Sequence, residues 1–172
     1  MTPQGVRLVV DSLVSQQLVT VLGHPRAQLF TIEMGHPLAA TLKRLFQEEQ
    51  ARWDALLGAL QTKLEQFKSV KAAWYYGSVA RGEDDPSSDL DIVIVVAGSP
   101  VDDTLDAVRE GLRDVEKRML VSCSVVGLST GDVTRLSAGD AWWRKMVRDA
   151  KVLKGGRPEQ AAARTRRSMH PA

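Results

Sequence analysis

Between Trp74 and Val96 the chain reads W-Y-Y-G-S-V-A-R-G-E-D-D-P-S-S-D-L-D-I-V-I-V-V. An apolar strand runs into a glycine turn, a polar loop follows, and a second strand opens on two aspartates. Asp89 and Asp91 lie two apart on a strand, so their side chains leave the same face. Carboxylates that close repel unless a cation lies between them. Hard oxygen donors with open positions suit Mg²⁺ shared with substrate phosphates, where the ion neutralises a triphosphate and aligns an attacking oxygen. Alone, the pair also reads as two solvated aspartates at a strand start.

Gly77 and Ser78 narrow that choice. The glycine lets backbone approach a ligand, and the serine hydroxyl and the N–H groups of the following turn grip phosphate oxygens. Ala80 keeps the turn small and Gly82 ends it. Arg81 either reaches a phosphate or forms a salt bridge with the acids of the loop. Ser88, directly ahead of the aspartates, completes the candidate phosphate-binding set. G-S-x-A-R-G followed by S-D-x-D fixes seven or eight positions, a chance match in about one chain per million or fewer at ordinary residue frequencies.

Around this stretch the chain alternates strands and helices. Val70–Tyr76 reads as a strand. Asp91–Val96 is almost unbroken apolar, as in a strand buried on both faces. Asp102–Leu120 reads as a helix and Val121–Leu128 as a strand. A helix start follows at Ser129–Asp132, where a hydroxyl caps orphan backbone donors. Leu136–Val147 reads as helix, with one of Trp142 and Trp143 in the core and the other on the rim. Lys151–Leu153 forms a short edge strand. Residues 157–172 carry no apolar face and are expected to be a disordered basic tail. Six bases and one acid in residues 151–172 give +5, leaving −3 for residues 1–150 of a chain whose total is +2. The basic pI therefore comes from the tail and is no argument for nucleic-acid binding by the folded part.

The motif in this context resembles the nucleotidyltransferases of the DNA polymerase beta superfamily, most nearly the small bacterial minimal nucleotidyltransferases, over about residues 68–156. The resemblance implies an α/β (α+β) fold, a short mixed sheet flanked by helices. It implies transfer of a nucleoside monophosphate, usually AMP from ATP, to a hydroxyl. Gly77 and Ser78 would hold the triphosphate, and Asp89 and Asp91 would bind the metals, with Mg²⁺ expected. Members of the group often act as antitoxins that adenylylate a HEPN-type toxin on a tyrosine, which makes such a toxin the implied partner. One departure is evident. The family usually places a third carboxylate on a later strand, whereas V-S-C-S-V-V-G-L from Val121 offers Ser122 and Ser124. Asp132 is the nearest downstream acid. Nucleotide binding without efficient transfer, in a DNA-binding regulator or a contact-only antitoxin, is the alternative reading.

Gly5–Leu18 has helical spacing, and two β-like runs, Leu18–Leu22 and Gln28–Glu33, flank a Gly23-His24-Pro25-Arg26 turn. This helix and hairpin (residues 1–36) resemble the second half of a winged helix-turn-helix, and L-F-T-I-E-M-G-H-P-L resembles the exit from such a wing in bacterial nucleotidyltransferases. The module either contacts DNA or only packs and dimerises. Arg7 and Arg26 are its only basic groups besides histidine, and phosphate neutralisation usually needs several cations. From residue 37 to 67 apolar residues recur at steps of three and four, giving one amphipathic linking helix about 45 Å long. Its N-terminal half has little of its own chain to cover it, and a homodimer through the hairpin and this helix is expected. No apolar run approaches the roughly 20 residues a membrane span needs, the N-terminus has no signal-peptide pattern, and Cys123 is the lone cysteine. A cytoplasmic location is therefore expected.

Overall fold

A computed structural model of the chain describes residues 2–24, 27–83 and 88–169. The expected turn at Pro25-Arg26 and the loop residues Asp84–Ser87 lie outside these. The chain divides into two compact units, Met1–Trp53 and Asp54–Ala172.

The first unit holds α1 (Pro3–Ser15), β1 (Val19–His24), β2 (Ala27–Ile32) and the beginning of α2 (Ala39–Glu65). Thr2 caps α1 by accepting from the Gly5 N–H at 3.2 Å, and proline sits in the first turn, where its missing donor costs nothing. Gln17 in the left-handed region (φ 59°) turns the chain into β1. β1 and β2 pair antiparallel as the expected hairpin, with Val19 opposite Ile32 and His24 opposite Ala27.

The second unit is built on a four-stranded sheet in the order β5-β4-β3-β6, made of β3 (Val70–Tyr76), β4 (Leu90–Val96), β5 (Cys123–Ser129) and β6 (Lys151–Lys154). β4 and β5 run parallel; the other pairs are antiparallel. This is the short mixed sheet expected for the fold class. β4 is buried along nearly its whole length, in keeping with its unbroken apolar sequence. One face packs on α4 (Val101–Met119) through Val108, Leu112 and Val115. Gly127 of β5 makes room there, since a Cβ would stand 2.7 Å from Cγ1 of Val101. The other face carries Trp74, Val93, Val95 and Leu128 against Val133, Trp143, Met146 and Ala162. Trp74 and Trp143 meet edge to face at 6.2 Å, and the Trp74 indole donates to the Gly156 carbonyl at 2.8 Å.

Two elements differ from the sequence expectation. The helix expected over 136–147 is two helices, α5 (Thr130–Leu136) and α6 (Ala141–Asp149). Asp140 restarts the chain as a cap, accepting from the Trp143 N–H at 2.9 Å. The stretch expected to be a disordered tail forms α7 (Pro158–Met169). Proline at its first position, a run of alanines, Glu159 in the first turn and Arg166 and Arg167 in the last all favour a helix. Ala162 is buried and the Arg166 guanidinium donates to the carbonyl and hydroxyl of Ser137, both at 3.0 Å. No described helix is long and apolar enough to cross a membrane.

Candidate active site

β3, β4 and β5 set three residues in one row across the sheet. Tyr76 pairs with Asp91, and Asp91 pairs with Ser124. By strand alternation this row shares a face with Val93 and Val95, so the site lies at the end of the tryptophan-filled core. Asp89 is exposed directly ahead of β4, and Asp91 is partly buried in it. Burial holds the Asp91 carboxyl above its usual range, and the neighbouring charge of Asp89 pushes it further the same way. A divalent cation would offset both effects, and two carboxylates beside open solvent are a suitable hard donor set. No cluster of three or more His, Cys, Asp or Glu side chains suited to a metal occurs among the described residues.

The glycine turn is fitted to that carboxylate. Gly77 has φ 82°, and a Cβ on it would stand 2.7 Å from Oδ2 of Asp91. Glycine is needed on two grounds, the left-handed backbone and the close approach. α3 (Gly77–Arg81) follows, with Ser78 half-buried and Ala80 buried. No side chain caps its start, and Gly82 (φ 70°) closes it. The first N–H groups of such a turn have no partner within the helix and suit an anion's oxygens. Ser88 is half-buried immediately before Asp89.

Arg81 is ion-paired. Its guanidinium bonds Glu83 and Asp149, each at 2.6 Å, and these hydrogen bonds raise it from its ordinary range, Glu83 first. The Asp149 side chain is 4% exposed and also accepts from Arg148 at 3.0 Å. Its carboxyl is held low by Arg148 first and then by Arg81. Arg81 thus ties the end of the glycine turn to the end of α6. Asp149 has no sequence signal, because it lies 68 positions from its partner.

Tyr76 and Trp142 border the row on the β3 side, ring against ring at 6.0 Å and nearly perpendicular. Burial, then the charge of Asp91, raise the Tyr76 hydroxyl above its usual range, so it is a neutral donor. Trp143 is the core residue of the tryptophan pair and Trp142 the rim residue. On the β5 side Cys123 is a neutral thiol. Burial pushes it up to about 12, helped by Glu116 and Asp89, and its N–H donates to Glu116 at 2.8 Å.

The place beside Asp91 on β5 is held by Ser124, which brings no charge. Asp132 cannot supply it. Ser129 and Asp132 form a reciprocal cap at the start of α5, with the Ser129 hydroxyl donating at 2.6 Å. Ser129 is opposite Val96, the last residue of β4, five residues and about 17 Å along the strand from Asp91's level. The bonds from Ser129, then Arg135, hold the Asp132 carboxyl down at about 2.

Residues 59–136 match the family model described as polymerase beta, nucleotidyltransferase. Over this stretch the chain resembles a polymerase beta-type nucleotidyltransferase. The match spans β3, the glycine turn, the aspartate pair and β5. No curated protein matches the sequence. Among solved structures, one chain of a toxin–antitoxin complex with AMP-PNP is 18% identical, with TM-score 0.45, covering 66% of this chain and 85% of its own. A chain from the complex of tri-AMPylated Shewanella oneidensis HEPN toxin with MNT antitoxin is 17% identical, with TM-score 0.40, covering 70% and 84%. A Sulfolobus solfataricus protein described as a nucleotidyltransferase is 20% identical, with TM-score 0.32, covering 70% and 90%. At this level of likeness these structures carry no argument, and the resemblance to nucleotidyltransferases rests on the family match over residues 59–136.

Proposed function

We propose that the nucleotidyltransferase domain transfers AMP from Mg-ATP to a hydroxyl, and that the acceptor is a tyrosine of a HEPN-type toxin. The observation that supports the reading is the close approach of the Gly77 turn to the Asp91 carboxylate, since a phosphate held by the turn would lie beside a cation held by the carboxylates. Asp89 and Asp91 would hold Mg²⁺. When bound, the ion would supply charge neutralisation at the triphosphate. Ser78 and the open start of α3 would bind phosphate oxygens. The neutral Tyr76 hydroxyl and the Trp142 ring offer a wall for the nucleotide or the acceptor. In the reaction the acceptor oxygen bonds to the α-phosphorus, the bond to the bridging oxygen breaks, and pyrophosphate leaves. The acceptor proton passes to solvent, since Ser124 stands where a carboxylate base would serve. The HEPN-type acceptor follows from the resemblance of G-S-x-A-R-G and S-D-x-D to the minimal nucleotidyltransferase pattern.

The missing third carboxylate favours a second reading, an antitoxin that acts by contact with its transfer reaction weak or lost. Incubation with ATP labelled at the α-phosphate, Mg²⁺ and a HEPN toxin separates the two. AMP on a toxin tyrosine, absent with Asp89→Asn/Asp91→Asn, supports transfer. A stable unlabelled complex that still silences the toxin overturns it in favour of contact. The helix–hairpin module is tested separately by binding to its promoter DNA across a salt series, where no binding at low salt excludes a DNA role.

A further inference from the structure

α3 is 5 residues long. A helix that short does not hold its own shape, because its first turn fixes more backbone than its hydrogen bonds repay. It is held from outside at both ends. At its start Gly77 packs against the Asp91 carboxylate. At its end the Arg81 guanidinium donates from Nη1 to Oδ2 of Asp149 at 2.6 Å.

Asp149 is a fixed anchor. It is the last residue of α6, which is seated in the core by the buried Trp143 and Met146. Two residues later Lys151 pairs with Tyr75, next to the residue that enters the glycine turn. The Asp149 side chain is buried, and its other oxygen accepts from Arg148 at 3.0 Å. A carboxylate in such a place keeps its cations, since a buried charge left alone is costly. Glu83 also binds Arg81, but its side chain is 64% exposed, and ion pairs on the surface contribute little. The hold on the end of α3 therefore comes from Asp149.

We propose, on the reading that this turn binds a nucleotide's phosphates, that Asp149 is a positioning residue for it. Acting through Arg81, it holds α3 so that the Ser78 hydroxyl and the N–H groups at the helix start keep the spacing a polyphosphate needs. Calorimetric titration of the full chain with Mg²⁺-tripolyphosphate and with Mg-ATP, well below the melting temperature, reads the turn directly. Asp149→Asn should weaken both ligands alike, by about tenfold, within the range of coupling between contacting residues. Arg81→Gln should do the same, and the double variant should lose no more than either single one, because both remove one bond. Arg81→Lys, which keeps the charge pair, should bind between wild type and Arg81→Gln, and it keeps the test open if Asp149→Asn fails to fold. A lower melting temperature with both affinities unchanged would make Asp149 a stabilising residue only and overturn the proposal. If Arg81 contacts the phosphates itself, Asp149→Asn frees it and affinity rises, which overturns the proposal equally. A wild-type chain that binds neither ligand refutes the phosphate reading of the turn, and the proposal with it.

Discussion

The Cα of Gly77 faces the carboxylate of Asp91 so closely that a Cβ would stand 2.7 Å from Oδ2. The glycine turn and the Asp91 carboxylate are therefore one packed unit. Gly77→Ala must push Asp91 aside and also take up a left-handed backbone that costs about 1–2 kcal/mol. We expect a lower melting temperature and a fall in transfer activity of at least tenfold. Wild-type activity and stability in this variant would refute the coupling.

Asp91 is charged where burial and Asp89 both oppose its charge. Such strain is common at functional sites. Asp91→Asn should melt at the same temperature as the wild-type chain or higher in chelator-treated buffer, while losing the stabilisation that Mg-ATP gives the wild type. Ligand at 100 times its Kd adds about 2.7 kcal/mol. Thermal unfolding with and without Mg-ATP reads both effects, and a marked loss of stability in the metal-free variant would contradict this account.

Ser124 lies beside Asp91 on the parallel strand β5 and shares its face. In the proposed reaction Ser124→Asp would set a carboxylate beside Asp91, where a base could take the acceptor proton. A well-placed base contributes about 10²–10⁴-fold, so even an imperfect one should raise the transfer rate measurably without changing the KM for ATP by a similar factor. Single-turnover transfer to a fixed acceptor is the measurement. No gain, with nucleotide binding intact, would show that proton removal does not limit the rate.

The Ser129–Asp132 cap has an acid signature. Asp132 is held at about 2, below the usual 3.8. A depressed carboxyl favours the fold above its unfolded value, and that contribution fades as pH falls from about 4 toward 2. Ser129→Ala should cost about 1 kcal/mol at neutral pH. The gap between variant and wild type should shrink below pH 3. A gap that stays constant from pH 7 to pH 2 would exclude this origin.

Much of the domain is visible in the sequence because local chemistry dictates it. Only glycine accepts the backbone at position 77, and only a strand covered on both sides tolerates the run from Ile92 to Val96. The Ser129 cap is equally local. What escapes depends on distant or competing terms. Arg81 carries two possible roles in sequence, and its partner Asp149 is brought to it by the packing of α6. The break between α5 and α6 was signalled by Gly139 and Asp140, but the apolar spacing across it suggests one helix. α7 lacks a broad apolar stripe, yet Pro158 and Ala162 suffice to seat it. Three alanines and suitable end charges then outweigh a composition that reads as disordered.

The ammonium of Lys154 donates to the carbonyls of Leu64 and Phe67, at 2.8 and 3.1 Å, and β6 lies along β3. The strand that leads into the glycine turn is thus flanked by a strand made much later in the chain. A ribosome that has synthesised residues 54 to 150 has already delivered Gly77, Ser78, Asp89 and Asp91, but not the strand that completes their sheet. Synthesis order therefore delays the sheet around the candidate site until β6 has emerged. A nascent chain stalled before Lys151 should be more open to protease than one stalled after Gly156 has emerged.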